Sequence, residues 1–155
     1  MNFSDGKGAL LTLSVVGYQF PGETSERSDA NWLVISGKAK HLRGAWDFQD
    51  ACLTTFELNQ LADWFDGAAA GHPEPDSGYF TEPCLEFRYK ADPEPTLDVR
   101  LAYECAPPWL GDSDARMDGI TLRFPVSSND LARAAGAARA LLRRFPERGL
   151  VEGAG

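Results

Sequence analysis

The chain has 155 residues, 43% hydrophobic and 25% charged, with a formal net charge of −8. That length suits one domain with a sizeable core, and the composition is too apolar for a disordered chain. The negative charge opposes nonspecific binding to nucleic acid or anionic membranes, and no apolar run approaches the roughly 20 residues that span a bilayer.

The longest apolar run, Gly8 to Phe20, is interrupted by Thr12, Ser14, Gly17 and Gln19. The N-terminus lacks a basic region followed by an apolar stretch, so no secretory signal is expected and the chain reads as cytoplasmic.

The first strand is expected over residues 10–19, where Leu11, Leu13 and Val15 alternate with Thr12 and Ser14. That period of two buries one face. Pro21-Gly22 ends it. A second strand covers 31–40 and a third runs from Trp46 to Leu53, with Gly44 at the turn of a hairpin. Thr54 and Glu57 have capping-box spacing and open a helix. Leu58, Leu61, Ala62 and Phe65 form its apolar stripe, with Glu57, Asp63 and Asp66 off it. Gly67 is the expected stop, and Ala68 to Gly78 reads as a loop.

Three more strands follow. Leu85, Phe87 and Tyr89 mark the fourth, Leu97, Val99, Leu101 and Tyr103 the fifth, and Ile120, Leu122 and Phe124 the sixth. Each alternates with polar residues, the pattern of a sheet with one wet face. Asp92-Pro93-Glu94-Pro95 is the hairpin loop between the fourth and fifth. Ser127, with Asp130 three residues on, caps a second helix that Pro146 ends. The tail from Gly149 to Gly155 is expected to be mobile. The fold class predicted is α+β: a largely antiparallel six-stranded sheet with two helices, in the order βββαβββα. The chain is expected to be a single domain with an ordered core over about residues 9–148.

The charge is uneven. Residues 51–99 carry ten acidic groups against two basic ones, so the whole excess lies in the middle third. It includes Glu57, Asp63, Asp66, Glu74, Asp76, Glu82, Asp92 and Glu94. Two readings stand: a solvated surface, or a docking surface for a basic partner.

Signs of catalysis are sparse. His41 and His72 belong to no metal-binding spacing. No Ser sits in a nucleophile elbow, and no glycine loop has phosphate-binding spacing. The pairs Asp47/Asp50 and Asp112/Asp114 resemble solvated turn acids. Cys52, Cys84 and Cys105 are an odd set with spacings that fit neither a disulfide framework nor a zinc motif, and they read as small buried residues. Neither cofactor nor metal is expected. Trp109, after Pro107-Pro108 in a long loop, either covers the core edge or anchors a partner.

A series of short motifs carries a resemblance. It runs through Tyr18-Gln19-Phe20-Pro21, Asp29-Ala30-Asn31-Trp32-Leu33, Trp46, and Cys52-Leu53-Thr54-Thr55-Phe56-Glu57-Leu58. It continues with Leu61-Ala62-Asp63-Trp64-Phe65, Phe80-Thr81-Glu82-Pro83-Cys84-Leu85-Glu86-Phe87, Phe124-Pro125 and Arg144-Phe145-Pro146. Over roughly residues 9–148 this order resembles the WapI family of bacterial immunity proteins. The resemblance implies a non-enzymatic protein that binds and neutralises a cognate toxin domain, often an RNA-cleaving one. It supplies no catalytic residues.

A nuclease face that attracts RNA is basic, so an acidic inhibitor gains steering and specificity. The candidate partner-binding residues are Glu57, Asp63, Asp66, Glu74, Asp76, Glu82 and Trp109. The alternative is a small-ligand or regulatory binding module with a pocket between sheet and helix. An enzyme working with Asp, Glu or Arg is a third, weaker reading. Oligomeric state is left open.

Overall fold

The computed structural model describes residues 1–78, 80–112 and 114–149. In its first half, strands β1 (Asn2–Ser4), β2 (Leu10–Tyr18), β3 (Trp32–His41) and β4 (Gly44–Thr54) form one antiparallel sheet in chain order. Helix α1 (Thr55–Ala69) follows. Strands β5 (Leu85–Lys90), β6 (Thr96–Leu101) and β7 (Ile120–Pro125) form a second antiparallel sheet. A short helix α2 (Ala115–Asp118) lies between β6 and β7, and α3 (Ser128–Arg144) comes last.

The α+β class is as expected, but the single six-stranded sheet with two helices is not. Among the described residues there are two sheets, of four and three strands, and three helices. Alternation in sequence tells which face of a strand is wet. It does not tell which strands share hydrogen bonds. β1 is too short for a period, yet its Phe3 is buried and its backbone pairs with Leu10 to Thr12. The expected fifth strand also stops early: β6 ends at Leu101, and Tyr103–Cys105 forms a 3-10 turn.

The inward residues follow the period of two. Leu11, Leu13 and Val15 of β2, Leu33, Ile35 and Ala39 of β3, and Trp46 and Phe48 of β4 are all buried. Gly37 lies opposite Phe48, whose ring occupies the space a Cβ at Gly37 would take. A register shift then sets Ile35 opposite Asp50 but Leu33 opposite Leu53. Asp50 therefore stays on the inward side while Cys52 and Leu53 are both buried, the effect of a bulge. Asp50 is not the solvated turn acid its sequence context suggests.

Both long helices start with complete capping boxes, Thr54 with Glu57 and Ser127 with Asp130. The first helix runs through Gly67 rather than stopping there. Its terminator is Gly71, at φ 85°. The Gly71 N–H donates to the Ala68 carbonyl and the His72 N–H to the Gly67 carbonyl, closing a Schellman motif.

The segment after α1 is docked at both sides. The Gln60 amide donates to the Ser77 carbonyl at 2.6 Å and the Trp64 indole N–H to the Glu74 carbonyl at 3.0 Å. Its other side runs beside β5, where the Tyr89 N–H donates to the Pro75 carbonyl and the Ser77 N–H to the Phe87 carbonyl.

Aromatic rings link the layers. Phe65 of α1 lies 6.1 Å from Phe3 of the first sheet and 5.9 Å from Phe87 of the second. Phe3 in turn lies 5.7 Å from Phe124, and Phe87 lies 6.4 Å from Phe80. These ring separations suit tilted and edge-to-face packing. α1 and α3 pack against each other. The expected mobile tail falls on residues 150–155, outside the described residues, except for Gly149.

Candidate functional site

The candidate acidic residues divide by what their carboxylates touch. Glu57 is buried. One of its oxygens accepts the Thr54 N–H at 2.8 Å and the other the Thr81 N–H at 2.7 Å. It fixes the start of α1 to the segment before β5 and offers no exposed charge.

Asp63 and Asp66 are one turn apart on α1 and exposed, but both face Arg139 of α3. Arg139 donates to Asp63 at 2.9 Å and also pairs with Asp66. Their charge is partly neutralised within the protein.

Glu74 and Asp76 are exposed in the segment after α1, and Glu82 is half-buried. Glu74 and Glu82 have no Lys or Arg ion-pair partner among the described residues. The Asp76 carboxylate accepts the Gly78 N–H at 3.0 Å, and its backbone bridges to Arg88. Asp76 and Glu82 rim one groove of about 460 Å³ on the wet side of the second sheet, with Glu86, Arg88 and Arg100 beneath. Glu86 bonds Arg88 at 2.6 Å and Arg100 at 2.9 Å. The bond from Arg88, ahead of that from Arg100, holds the Glu86 carboxyl below the ordinary range despite some burial.

Trp109 stands apart from this groove. It lies in a 3-10 turn, Pro108–Leu110, with its ring edge-to-face on Trp46 at 5.2 Å. It also packs on Gly44, and Arg43 lies 5.9 Å from its centroid. Trp109 thus closes the edge of the first sheet, and its indole N–H is buried without an acceptor among the described residues.

One constellation is absent from the sequence reading. The three cysteines are buried and free. Contacts with the Cys52 and Cys84 thiols, together with burial, push the Cys105 thiol above the ordinary range. Asp50 and Glu104 bring their carboxylates to Cys84. Burial raises the Asp50 carboxyl, and the nearby Glu104 charge raises it further, against the lowering effect of the Cys84 thiol. No signal in sequence points to this group, because its members are 34 and 20 residues apart and lie in different elements.

A family model described as the immunity protein WapI-like family matches residues 2–146 of the chain. No curated protein and no solved structure matches the chain significantly. Among the described residues, no helix is long and apolar enough to cross a membrane.

Proposed function

The chain belongs to the WapI-like immunity protein family, and we propose on that premise that it binds and neutralises the toxic domain of a cognate bacterial toxin. Family membership over nearly the whole chain is the observation that carries this reading. The concentration of acidic groups in residues 51–99 supports a basic partner face, such as that of a nuclease. The contact surface we propose centres on Glu74, Asp76 and Glu82. Asp63 and Asp66 serve as its flank, and Glu57 is left out because both its oxygens bind backbone. Trp109 is a separate candidate anchor at the edge of the first sheet. The neutralisation is steric and electrostatic, with no turnover, and takes place in the cytoplasm of the producing cell. The protein is proposed to act as one domain, without nucleic acid or membrane as partner.

The test is association with the C-terminal domain of a polymorphic toxin encoded beside this gene. A stoichiometric, salt-sensitive complex that abolishes toxicity is expected. Glu74→Lys combined with Glu82→Lys should weaken it about tenfold or more and flatten its salt dependence. Unchanged affinity and salt slope would remove this surface. A toxin still active in excess protein would overturn the immunity reading for that pair.

A further inference from the structure

We propose that Asp50, Cys84 and Glu104 form a binding site for a divalent transition-metal ion of the zinc class. The three ligand atoms all lie within 4.8 Å of one another. The Cys84 sulfur is 3.2 Å from Glu104 Oε2 and 3.8 Å from Asp50 Oδ2. A tetrahedral ion with bonds of about 2.3 Å to sulfur and 2.1 Å to oxygen sets each S···O edge near 3.6 Å. The two measured S···O edges bracket that length, and the two carboxylate oxygens, within 4.8 Å of each other, close around an ion by turning about their side-chain bonds.

The charges favour a cation as well. Two carboxylates converge on one thiol, and neither has a Lys or Arg ion-pair partner among the described residues. Like charges so placed repel, and a divalent ion removes the repulsion. The donor set, one thiolate and two carboxylates, suits zinc and its cobalt surrogate better than magnesium or calcium, which prefer all-oxygen shells. Cys84 is buried while Glu104 is exposed and Asp50 half-exposed. The site is thus anchored on the protein side and open to solvent on the other, leaving a fourth position for water.

Each ligand is held by its element. Asp50 is on the inward side of β4, just before the bulge. Cys84 immediately precedes β5, and its carbonyl accepts the Ala102 N–H at 3.0 Å. Glu104 sits in the 3-10 turn after β6, which begins at Tyr103 with φ 51°. Arg116 of α2 donates to the carbonyls of Tyr103, Ala106 and Pro107 and fixes that turn. An ion here would tie the first sheet to the end of the second. On binding, the Cys84 thiol loses its proton to solvent and its sulfur bonds to the ion as thiolate.

Cobalt(II) added to the reduced full-length protein tests this. One equivalent should produce a thiolate-to-cobalt charge-transfer band, and zinc should bleach it and raise the melting temperature. Cys84→Ser should abolish the band. Glu104→Gln, at an exposed position that keeps the fold, should weaken cobalt binding about tenfold or more, and Cys105→Ser should leave the band intact. No band in the reduced wild type, or a band that survives Cys84→Ser, would overturn the proposal. So would undiminished affinity in Glu104→Gln. None of these outcomes depends on the toxin-binding reading.

Discussion

The Arg139 guanidinium of α3 donates to the Asp63 carboxylate of α1 at 2.9 Å, and its other terminal nitrogen reaches Asp66. The two acidic residues that look most like docking charges are therefore also part of the contact between the helices. Charge reversal there changes an internal ion pair along with any interface. The side chains are 67% exposed at Asp63 and 36% at Arg139, so water and salt screen the pair. A double-mutant cycle between Asp63→Ala and Arg139→Ala should give a coupling below about 1 kcal/mol, shrinking as salt is added. A coupling several times larger would mark the pair as a structural clamp.

Glu57 gives the opposite case. Its oxygens satisfy the Thr54 and Thr81 amides. Glu57→Ala removes a helix cap and leaves an amide without its acceptor, which together cost about 2 kcal/mol. The urea midpoint should fall with the slope unchanged, while the folded fraction binds the toxin domain as before. Lost affinity at full folding would return Glu57 to the interface.

The capping boxes of both long helices were legible because Thr54/Glu57 and Ser127/Asp130 each set two side-chain acceptors three residues apart, each accepting the other residue's backbone N–H. The burial of Glu57 was not, because helical spacing puts it off the apolar stripe and the Thr81 N–H that binds its second oxygen comes from a segment 24 residues on. The strands were legible from alternation in Leu11 to Val15 and Leu97 to Leu101. Their division into two sheets was not, since the alternation within each set is the same whether or not the two sets share hydrogen bonds. The Asp50 bulge and the Tyr103 turn escape any periodic reading. They are what bring Asp50 and Glu104 to Cys84.

Arg148 shows a different blind spot, a residue outside the motifs that holds them together. Its guanidinium donates to the carbonyls of Phe20 and Pro21 at 2.9 Å and of Ala30 at 2.8 Å. It also lies 3.6 Å from the centroid of Tyr18. Tyr18 itself donates to the Pro146 carbonyl at 2.6 Å, and the buried Asn31 side chain accepts the Arg148 N–H at 2.8 Å. Several residues of the Tyr18–Pro21 and Asp29–Leu33 motifs thus serve to seat the returning C-terminal segment. A lysine has the charge but not the planar fork. Arg148→Lys should therefore cost about 1–2 kcal/mol in denaturant unfolding. A cost within about 0.3 kcal/mol of zero would show that the charge alone suffices.

Acid should loosen the start of α3. The Ser127 backbone N–H, bonded to Asp130 at 2.8 Å, is the main cause that holds the Asp130 carboxyl below its ordinary range. The Ser127 hydroxyl contact and Arg133 add to it, while slight burial opposes them. A carboxyl whose folded value is lowered binds fewer protons folded than unfolded, so stability rises with pH across that window. The contribution is complete above the ordinary aspartate range and fades as pH falls through the lowered folded value. Asp130→Ala should accordingly be less stable than the wild type at neutral pH, with the gap narrowing in acid. Unfolding midpoints of the two proteins across that range would check it. A gap independent of pH would mean that Asp130 acts through the shape of the cap and not through its charge.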